Sequence, residues 1–293
     1  MKEALRIVGG TLVAMALCAV VSLAWAWRVT DTAMARRYAA PRELGLAQAV
    51  RAAPLDLGRR IVTVRNGCVD CHGADLSGRK VVDNAFIGTL HGPNITPARL
   101  RDWRDDEIAT AIRYGVSRDG RPLVLMPSHE YQHLAREDLA AVVAYLRHVP
   151  AVDTVTPPPA LGPGARVMFA LGQLPTLLPA ALIDQSRGFD EKPIEAATAQ
   201  FGRYLAASAC AGCHGAEFRG GRIPGGPPDW APASSLRLGS DERWSEAGFM
   251  QAMRTGRSAV DGHPLQAPMP VELVAQMSDV ELGALWRYFA TLH

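Results

Sequence analysis

The sequence writes Cys-x-x-Cys-His twice, as Cys68-Val69-Asp70-Cys71-His72 and as Cys210-Ala211-Gly212-Cys213-His214. Two thiols at this spacing, with an imidazole directly after the second, form the attachment pattern of c-type haem. The thiols add to the two vinyl groups of one porphyrin, and the histidine binds the iron from one side. The chain has five cysteines, and four of them sit in these motifs. The fifth, Cys18, lies in an apolar N-terminal run, so no pair is left for a disulfide framework. The competing chemistries are a thioredoxin-like dithiol and a zinc site. The first needs no histidine after its second cysteine and belongs beside a βαβ pattern, which the chain lacks. The second would have to join motifs at 68–72 and 210–214. Two covalently bound haem c groups are therefore expected, on Cys68, Cys71, Cys210 and Cys213, with His72 and His214 on the irons.

The motifs head two copies of one unit. Ala111-Ile112-Arg113-Tyr114-Gly115 corresponds to Ala252-Met253-Arg254-Thr255-Gly256, and Asp119-Gly120-Arg121-Pro122-Leu123 to Asp261-Gly262-His263-Pro264-Leu265. Trp103 matches Trp244, Met126-Pro127 matches Met269-Pro270, and Tyr145 matches Tyr288. Each copy reads as helical with long loops. A first helix runs into the motif, over Leu57–Cys71 and Ala196–Cys213. A middle helix follows the tryptophan, over Asp105–Tyr114 and Glu246–Thr255, the latter N-capped by Ser245 and both ended by glycine, Gly115 and Gly256. A last helix closes each copy. Ser278-Asp279-Val280-Glu281 is a capping box for Ser278–Leu292. The counterpart, Arg136–His148, lacks the capping serine and is expected to fray at its start. Leu139/Leu282 and Tyr145/Tyr288 fall on the face expected to meet the first helix.

An iron with one histidine keeps one axial position, and its occupant decides the chemistry. Met126 and Met269 are equivalent, each precedes a proline, and each lies in a loop between helices, where helical packing gives no reason for a methionine. They are the expected sixth ligands. His129 and His133 follow Met126 closely and are the alternatives, without histidine partners in the second copy. Met250, Met253 and Met277 read as core. His91, His148, His263 and His293 read as surface residues. The recurrence of Trp103 and Trp244 before the middle helix suggests an indole N–H directed at a haem propionate.

A length of 293 residues suits about two domains, and a net charge of +2 gives no reason to expect a nucleic-acid surface. Small loop-rich domains fill their cores with difficulty, and a covalently held haem supplies the missing apolar bulk. Ile7 to Trp27 carries no charge, and its 21 residues compare with the ~20 needed to span a bilayer. Trp25 and Trp27 end it as interfacial anchors do. A cleaved signal peptide is the rival, since Ala24-Trp25-Ala26 satisfies a small-x-small site; the length of the apolar run favours a retained anchor. Bacterial c-type haem is attached outside the cytoplasmic membrane, so the chain is expected to be single-pass in that membrane with its haem units in the periplasm. Between the copies, Pro157-Pro158-Pro159 is stiff. The apolar stretch Val167–Ile183 is too broken by Pro175 and Pro179 to span. It reads as a linker packed between the copies, or else as a surface resting on membrane or a partner subunit. The expected organisation is an anchor over 1–30, a juxtamembrane segment over 31–54, one haem unit over 55–150, a linker over 151–194 and a second haem unit over 195–293.

Together these residues resemble a family. Each half resembles a class I cytochrome c domain: a haem motif on the first helix, a proline-flanked loop methionine, and a last helix with an inward tyrosine. The resemblance covers about residues 55–150 and 195–293 and implies an all-α fold of two tandem cytochrome c domains after an N-terminal transmembrane helix. It also implies His72 and His214 as proximal ligands and Met126 and Met269 as distal ones. The whole is similar to dihaem cytochromes and cytochrome subunits that serve periplasmic dehydrogenases. Gly92-Pro93-Asn94-Ile95-Thr96-Pro97 followed by Trp103 resembles the haem-edge loop of cytochrome subunits of membrane alcohol dehydrogenases, which places Asn94 at the haem. The chain departs from that type in carrying two motifs rather than three, and Ser235 stands where the first copy has Asn94. The implied role is relay of single electrons, from a periplasmic dehydrogenase or other redox protein to a cytochrome or respiratory complex, without a substrate of its own. An obligate subunit of a larger oxidoreductase or oxidase is the alternative. A dihaem peroxidase or sulfur-compound oxidase is the other, and the two Met-Pro loops argue against it.

Overall fold

The computed structural model describes residues 2–41, 44–227 and 229–293. Helix α1 (Lys2–Ala35) runs unbroken for 34 residues, about 51 Å at 1.5 Å per residue. Its apolar side chains, Leu12, Val20 and Trp25 among them, are exposed. It is long and apolar enough to cross a membrane, with a mean hydropathy of 2.3. The helix outlasts the expected Ile7–Trp27 run because its last turns are held by tertiary contacts, described below.

The first copy contains α2 (Ala47–Ala52), α3 (Leu55–Arg60), a π-helical turn (Ile61–Arg65) and α4 (Cys68–His72). Strands β1 (Arg79–Asn84) and β2 (Gly88–Gly92) follow, then α5 (Pro97–Leu100), α6 (Asp105–Tyr114), α7 (Ser128–Tyr131) and α8 (Arg136–His148). The linker adds β3 (Ala160–Leu161) and α9 (Pro163–Ala170). The second copy repeats the helical plan with α10 (Ala199–Ala209), α11 (Ala211–His214), α12 (Glu246–Thr255), α13 (Val271–Val274) and α14 (Asp279–Phe289). Each copy has its own core, one around Ile61, Ile108, Leu139 and Val143, the other around Phe201, Phe249, Leu282 and Phe289.

The crossing of first and last helices is built on glycine in both copies. A Cβ at Gly58 would overlap the Ala141 carbonyl and crowd Tyr145 Cβ; one at Gly202 would overlap the Ala284 carbonyl and crowd Tyr288 Cβ. The helices therefore touch backbone to backbone, with the paired tyrosines beside the contact. The middle helices end as expected, on Gly115 and Gly256 at φ of 65° and 67°, a conformation glycine adopts without a steric penalty. Ser245 and Ser278 cap their helices through Gly248 N–H and Glu281 N–H.

Two expectations need correction, and one small element adds to the helical fold. The first helix is not continuous over Leu57–Cys71: it passes into the π-helical turn and breaks at Gly67, at φ 55°. Such turns often mark functional sites, and this one re-aims the motif. Helix α8 does not need a serine cap, because the Ala135 N–H before it donates to Tyr204 Oη of the second copy at 3.1 Å and Ala135 is fully buried. The mostly helical fold also holds a small antiparallel sheet in the order β1-β2-β3. Strand β1 is almost wholly exposed, so its sequence carries no alternating pattern to reveal it.

The linker packs chiefly on the first copy and meets the second where Leu174 and Thr176 lie against Gly225. Asn94 Nδ2 clasps its beginning through the carbonyls of Val152 and Thr154. Helix α9 then packs on the end of α1, where Thr30 Oγ1 donates to Arg166 O at 3.4 Å and Arg166 Nη1 pairs with Asp31 at 2.6 Å. Arg166 also stacks 4.8 Å from the Trp27 ring centroid. Leu174, Leu177 and Leu178 close this cluster over Ala33, Met34 and Val124. Farther on, Phe189 receives Arg113 and Arg136 on its ring at 4.2 and 4.7 Å.

Replacing Gly58 or Gly202 by alanine is expected to destabilise the domain concerned by about 1–3 kcal/mol, the range for forcing added atoms into a packed core. Denaturant unfolding followed at each domain's haem absorbance checks this. An unchanged midpoint would mean the helices separate freely at the crossing.

Candidate haem sites

In the first domain a cavity of about 850 Å³ opens beside α4, within the ~300–1,000 Å³ typical of cofactor sites. Cys68, Cys71, His72, Asn94, Trp103 and Met126 all border it. The structure thus gathers every residue that the sequence assigns to haem binding in this copy. Leu90, Leu100, Ile108, Ile112, Val142 and Leu146 supply apolar walls. His72 Nδ1–H donates to the Pro93 carbonyl at 2.7 Å. That bond fixes the tautomer and leaves Nε2 as the free lone pair. Burial lowers the His72 pKa, with the Pro93 bond opposing, so the ring stays neutral, the form a metal takes. Burial pushes the Cys68 thiol up to about 12, and the Cys71 thiol is raised too. A redox dithiol needs a depressed pKa. These sulfurs do not have one, which argues against a redox dithiol. The donor set and the cavity fit a c-type haem.

Met126 borders the cavity, whereas His129 and His133 do not. Asn94 borders it too, but its amide is spent on the protein: Nδ2 on the linker, Oδ1 accepting from Thr96 N–H at 2.9 Å and Thr96 Oγ1 at 2.8 Å. Ser235 copies only part of this, its hydroxyl accepting from Arg237 N–H at 3.2 Å. Trp103 lies under Arg118, 5.5 Å from the ring centroid.

The second domain repeats the arrangement. His214 Nδ1–H donates to Ser234 O at 2.8 Å, and burial lowers its pKa against the effect of that bond. Burial pushes Cys210 up to about 12. Cys210, Trp244, Leu265 and Met269 pack on the same core. The methionine loops match bond for bond. Leu123 N–H reaches Gly115 O and Leu265 N–H reaches Gly256 O, both at 2.7 Å; Ser128 N–H reaches Met126 O and Val271 N–H reaches Met269 O, both at 2.8 Å.

The two motifs meet across the domain boundary. Asn66, two residues before Cys68, donates from Nδ2 to the carbonyl of Ser208, two residues before Cys210, at 2.8 Å. These are equivalent positions in the repeat, so the copies face each other about an approximate two-fold axis. The helix after each Met-Pro pair lies on the other copy's motif: a Cβ at Gly67 would press on Leu273 Cδ1, and one at Gly212 would overlap the Glu130 carboxylate. Beneath them Arg65 is buried against Glu195 at 2.7 Å, Glu281 at 2.5 Å and Asp138 at 3.8 Å. Arg60 pairs with Glu281, and Lys192 pairs with Asp138 at 2.6 Å. Tyr204 Oη donates to Asp138 at 2.6 Å. Bonds from Arg65 and Lys192 outweigh burial and hold Glu195 near 2. Sequence reasoning missed this cluster. Its available signal was an arginine, Arg65, on a helix that heads for the core, together with acids at equivalent positions, Asp138 and Glu281.

Both halves match known families. The model for cytochrome c oxidase, cbb3-type, subunit III matches residues 54–146, and the model for cytochrome c matches residues 199–293. The chain carries two cytochrome c domains, one in each half. More particularly, it resembles cytochrome subunits of dehydrogenases. It is 34% identical over 89 residues to the gluconate 2-dehydrogenase cytochrome c subunit of Pantoea cypripedii, covering 28% of this chain and 20% of that protein. It is 31% identical over 111 residues to the fructose dehydrogenase cytochrome subunit of Gluconobacter japonicus, covering 32% and 22%. The chain spans about a fifth of the length of these curated relatives.

Glu130 gives the interface a pH dependence. Burial raises its carboxyl to about 7, against a hydrogen bond from Gly212 N–H. A carboxyl raised on folding favours the folded state fully below its unfolded value, near 4.5, and that contribution is lost as pH rises through about 7. Docking of the domains is therefore expected to weaken between about pH 4.5 and 7, by about 1–3 kcal/mol. The Glu130→Gln variant is expected to abolish that slope. Unfolding midpoints measured across this range check it; an unchanged slope in the variant would assign the pH dependence elsewhere.

Proposed function

We propose that the chain holds two haem c groups and relays single electrons between them at the periplasmic face of the cytoplasmic membrane, as a cytochrome subunit working with a dehydrogenase. The observation that carries this reading is the Asn66–Ser208 hydrogen bond, which joins the residues two positions before each haem motif. Bound haem c supplies a one-electron iron couple. The protein's own residues do the rest. Cys68 and Cys71, and Cys210 and Cys213, would fix the two groups; His72 and His214 would offer Nε2 to the irons, and Met126 and Met269 would be their second protein ligands. A histidine–methionine pair leaves no open position for substrate and raises the potential, which suits transfer over catalysis. The first domain is taken as 55–150 and the second as 195–293, joined by a linker over 151–194.

The membrane reading rests on α1, whose exposed apolar run is followed by turns that Asp31 and Thr30 tie to Arg166 of the linker. A single-pass helix with both haem domains on the periplasmic side follows from where bacteria attach c-type haem. The names of the similar proteins favour a dehydrogenase as donor, and a cytochrome or respiratory complex is the acceptor in this scheme. Co-purification from native membranes in mild detergent tests the partner.

Intact mass and a haemochrome assay are expected to give two haems per chain. The near-infrared methionine–iron band of the oxidised protein is expected at two-haem intensity; its absence would remove Met126 and Met269 as ligands. Met269→Ala is expected to open one iron to carbon monoxide. Unaltered behaviour would show that another residue holds that position.

A further inference from the structure

His91, expected at the surface, lies on β2 and borders the cavity of the first domain. Its Nδ1 is buried and finds no hydrogen-bonding partner. Leaving a buried polar atom unsatisfied costs about 1–3 kcal/mol, so a histidine kept in this state points to a hydrogen-bonding partner that the chain itself does not provide, an acceptor when Nδ1 carries the proton. Apart from the Trp103 indole, three other strong donors at the cavity already have protein partners. Asn94 Nδ2 is bonded to Val152 O at 2.7 Å and Thr154 O at 3.0 Å. Arg99 is bonded to Thr154 O at 3.0 Å and to Asp153 at 2.8 Å, and Arg121 lies 3.3 Å from Asp119. A c-type haem brings two propionate carboxylates, which accept hydrogen bonds and donate none.

The second domain has no equivalent of His91. Gly221 bridges to Ala233 as Arg79 bridges to Gly92, which puts Pro232 in the place of His91, and proline carries no side-chain donor. The tryptophans recur in both copies, so they do not distinguish the two sites. We propose that His91 donates its Nδ1–H to a propionate of the haem in the first domain and thereby holds that haem at the higher of the two potentials. A propionate's negative charge favours the ferric iron. A hydrogen bond to it withdraws part of that charge and makes reduction easier. Electrons then settle in the first domain, whose cavity is bordered by Asp31, Met34 and Ala35 at the end of α1. The electron flow inside the protein runs from the second domain toward the membrane helix.

This inference rests on the two-haem reading, and one experiment separates the two. Full-length protein in detergent is titrated potentiometrically, with the haem content of each sample measured. His91→Leu is expected to lower one midpoint so that the reduced-to-oxidised ratio of that haem at fixed potential falls about tenfold, ~59 mV for a one-electron couple. The other midpoint stays in place. His91→Gln, which keeps a donor, is expected to retain most of the wild-type value, and the propionate bending band in resonance Raman spectra is expected to shift in the leucine variant only. Where leucine prevents haem loading, His91→Ala is read in the same way. Two haems with both midpoints unmoved, or an equal fall in the leucine and glutamine variants, would overturn the role of His91. One haem per chain would overturn the reading beneath it.

Discussion

Arg65 is the residue on which the joint arrangement of the two domains depends. It is buried, and it meets carboxylates from the last helix of its own domain, from the first residue of the second domain and from that domain's last helix. With Arg60 and Lys192 it forms a cluster of three cations and three carboxylates. Ions taken out of water are costly, and such a cluster is stable only when every charge is answered. Removing one member of a buried pair costs about 3–5 kcal/mol. Bonds from Glu195 and Glu281 hold the guanidinium charged although burial opposes it. The cluster is therefore better read as a device that specifies one docking geometry than as a source of net stability. The geometry it specifies is the one that sets the two haem motifs against each other.

The approximate two-fold relation explains several features at once. Equivalent residues meet each other, as Asn66 meets Ser208. The helix after each Met-Pro pair packs on the partner domain's cysteine motif, through Leu273 at Gly67 and Glu130 at Gly212. Gly67 and Gly212 have no room for a side chain because Leu273 and Glu130 occupy it. The departures from symmetry are equally informative. The hairpin β1–β2, the linker and α1 all attach to the first domain, and so does His91. The first domain is thus the one joined to α1, and the second reaches the rest of the molecule through the charged interface.

Much of this was legible in the sequence. The doubled motif, the constant register of the repeat, the glycine C-caps and the capping box at Ser278 are local signals, and the structure follows them to the residue for α6 and α12. The loop methionines stood out because no helical packing accounted for them, and the structure brings Met126 to the cavity wall. What was not legible depends on distance along the chain. Arg65 and Glu281 are 216 residues apart, and Tyr204 and Asp138 are 66 apart; no periodicity announces such pairs. The cap of α8 comes from the other domain, so its own flanking residues could not reveal it. His91 reads as a surface histidine because β1 beside it is exposed and polar, and only the folded hairpin turns its ring to the cavity.

The account stands or falls on whether the two haems exchange electrons inside one molecule. Pulse radiolysis of the oxidised protein, delivering less than one electron per chain, measures this directly. The expected result is a second absorbance phase after the initial reduction, with a rate independent of protein concentration, as the electron moves between domains. A second phase whose rate rises in proportion to protein concentration, with no intramolecular component, would contradict it.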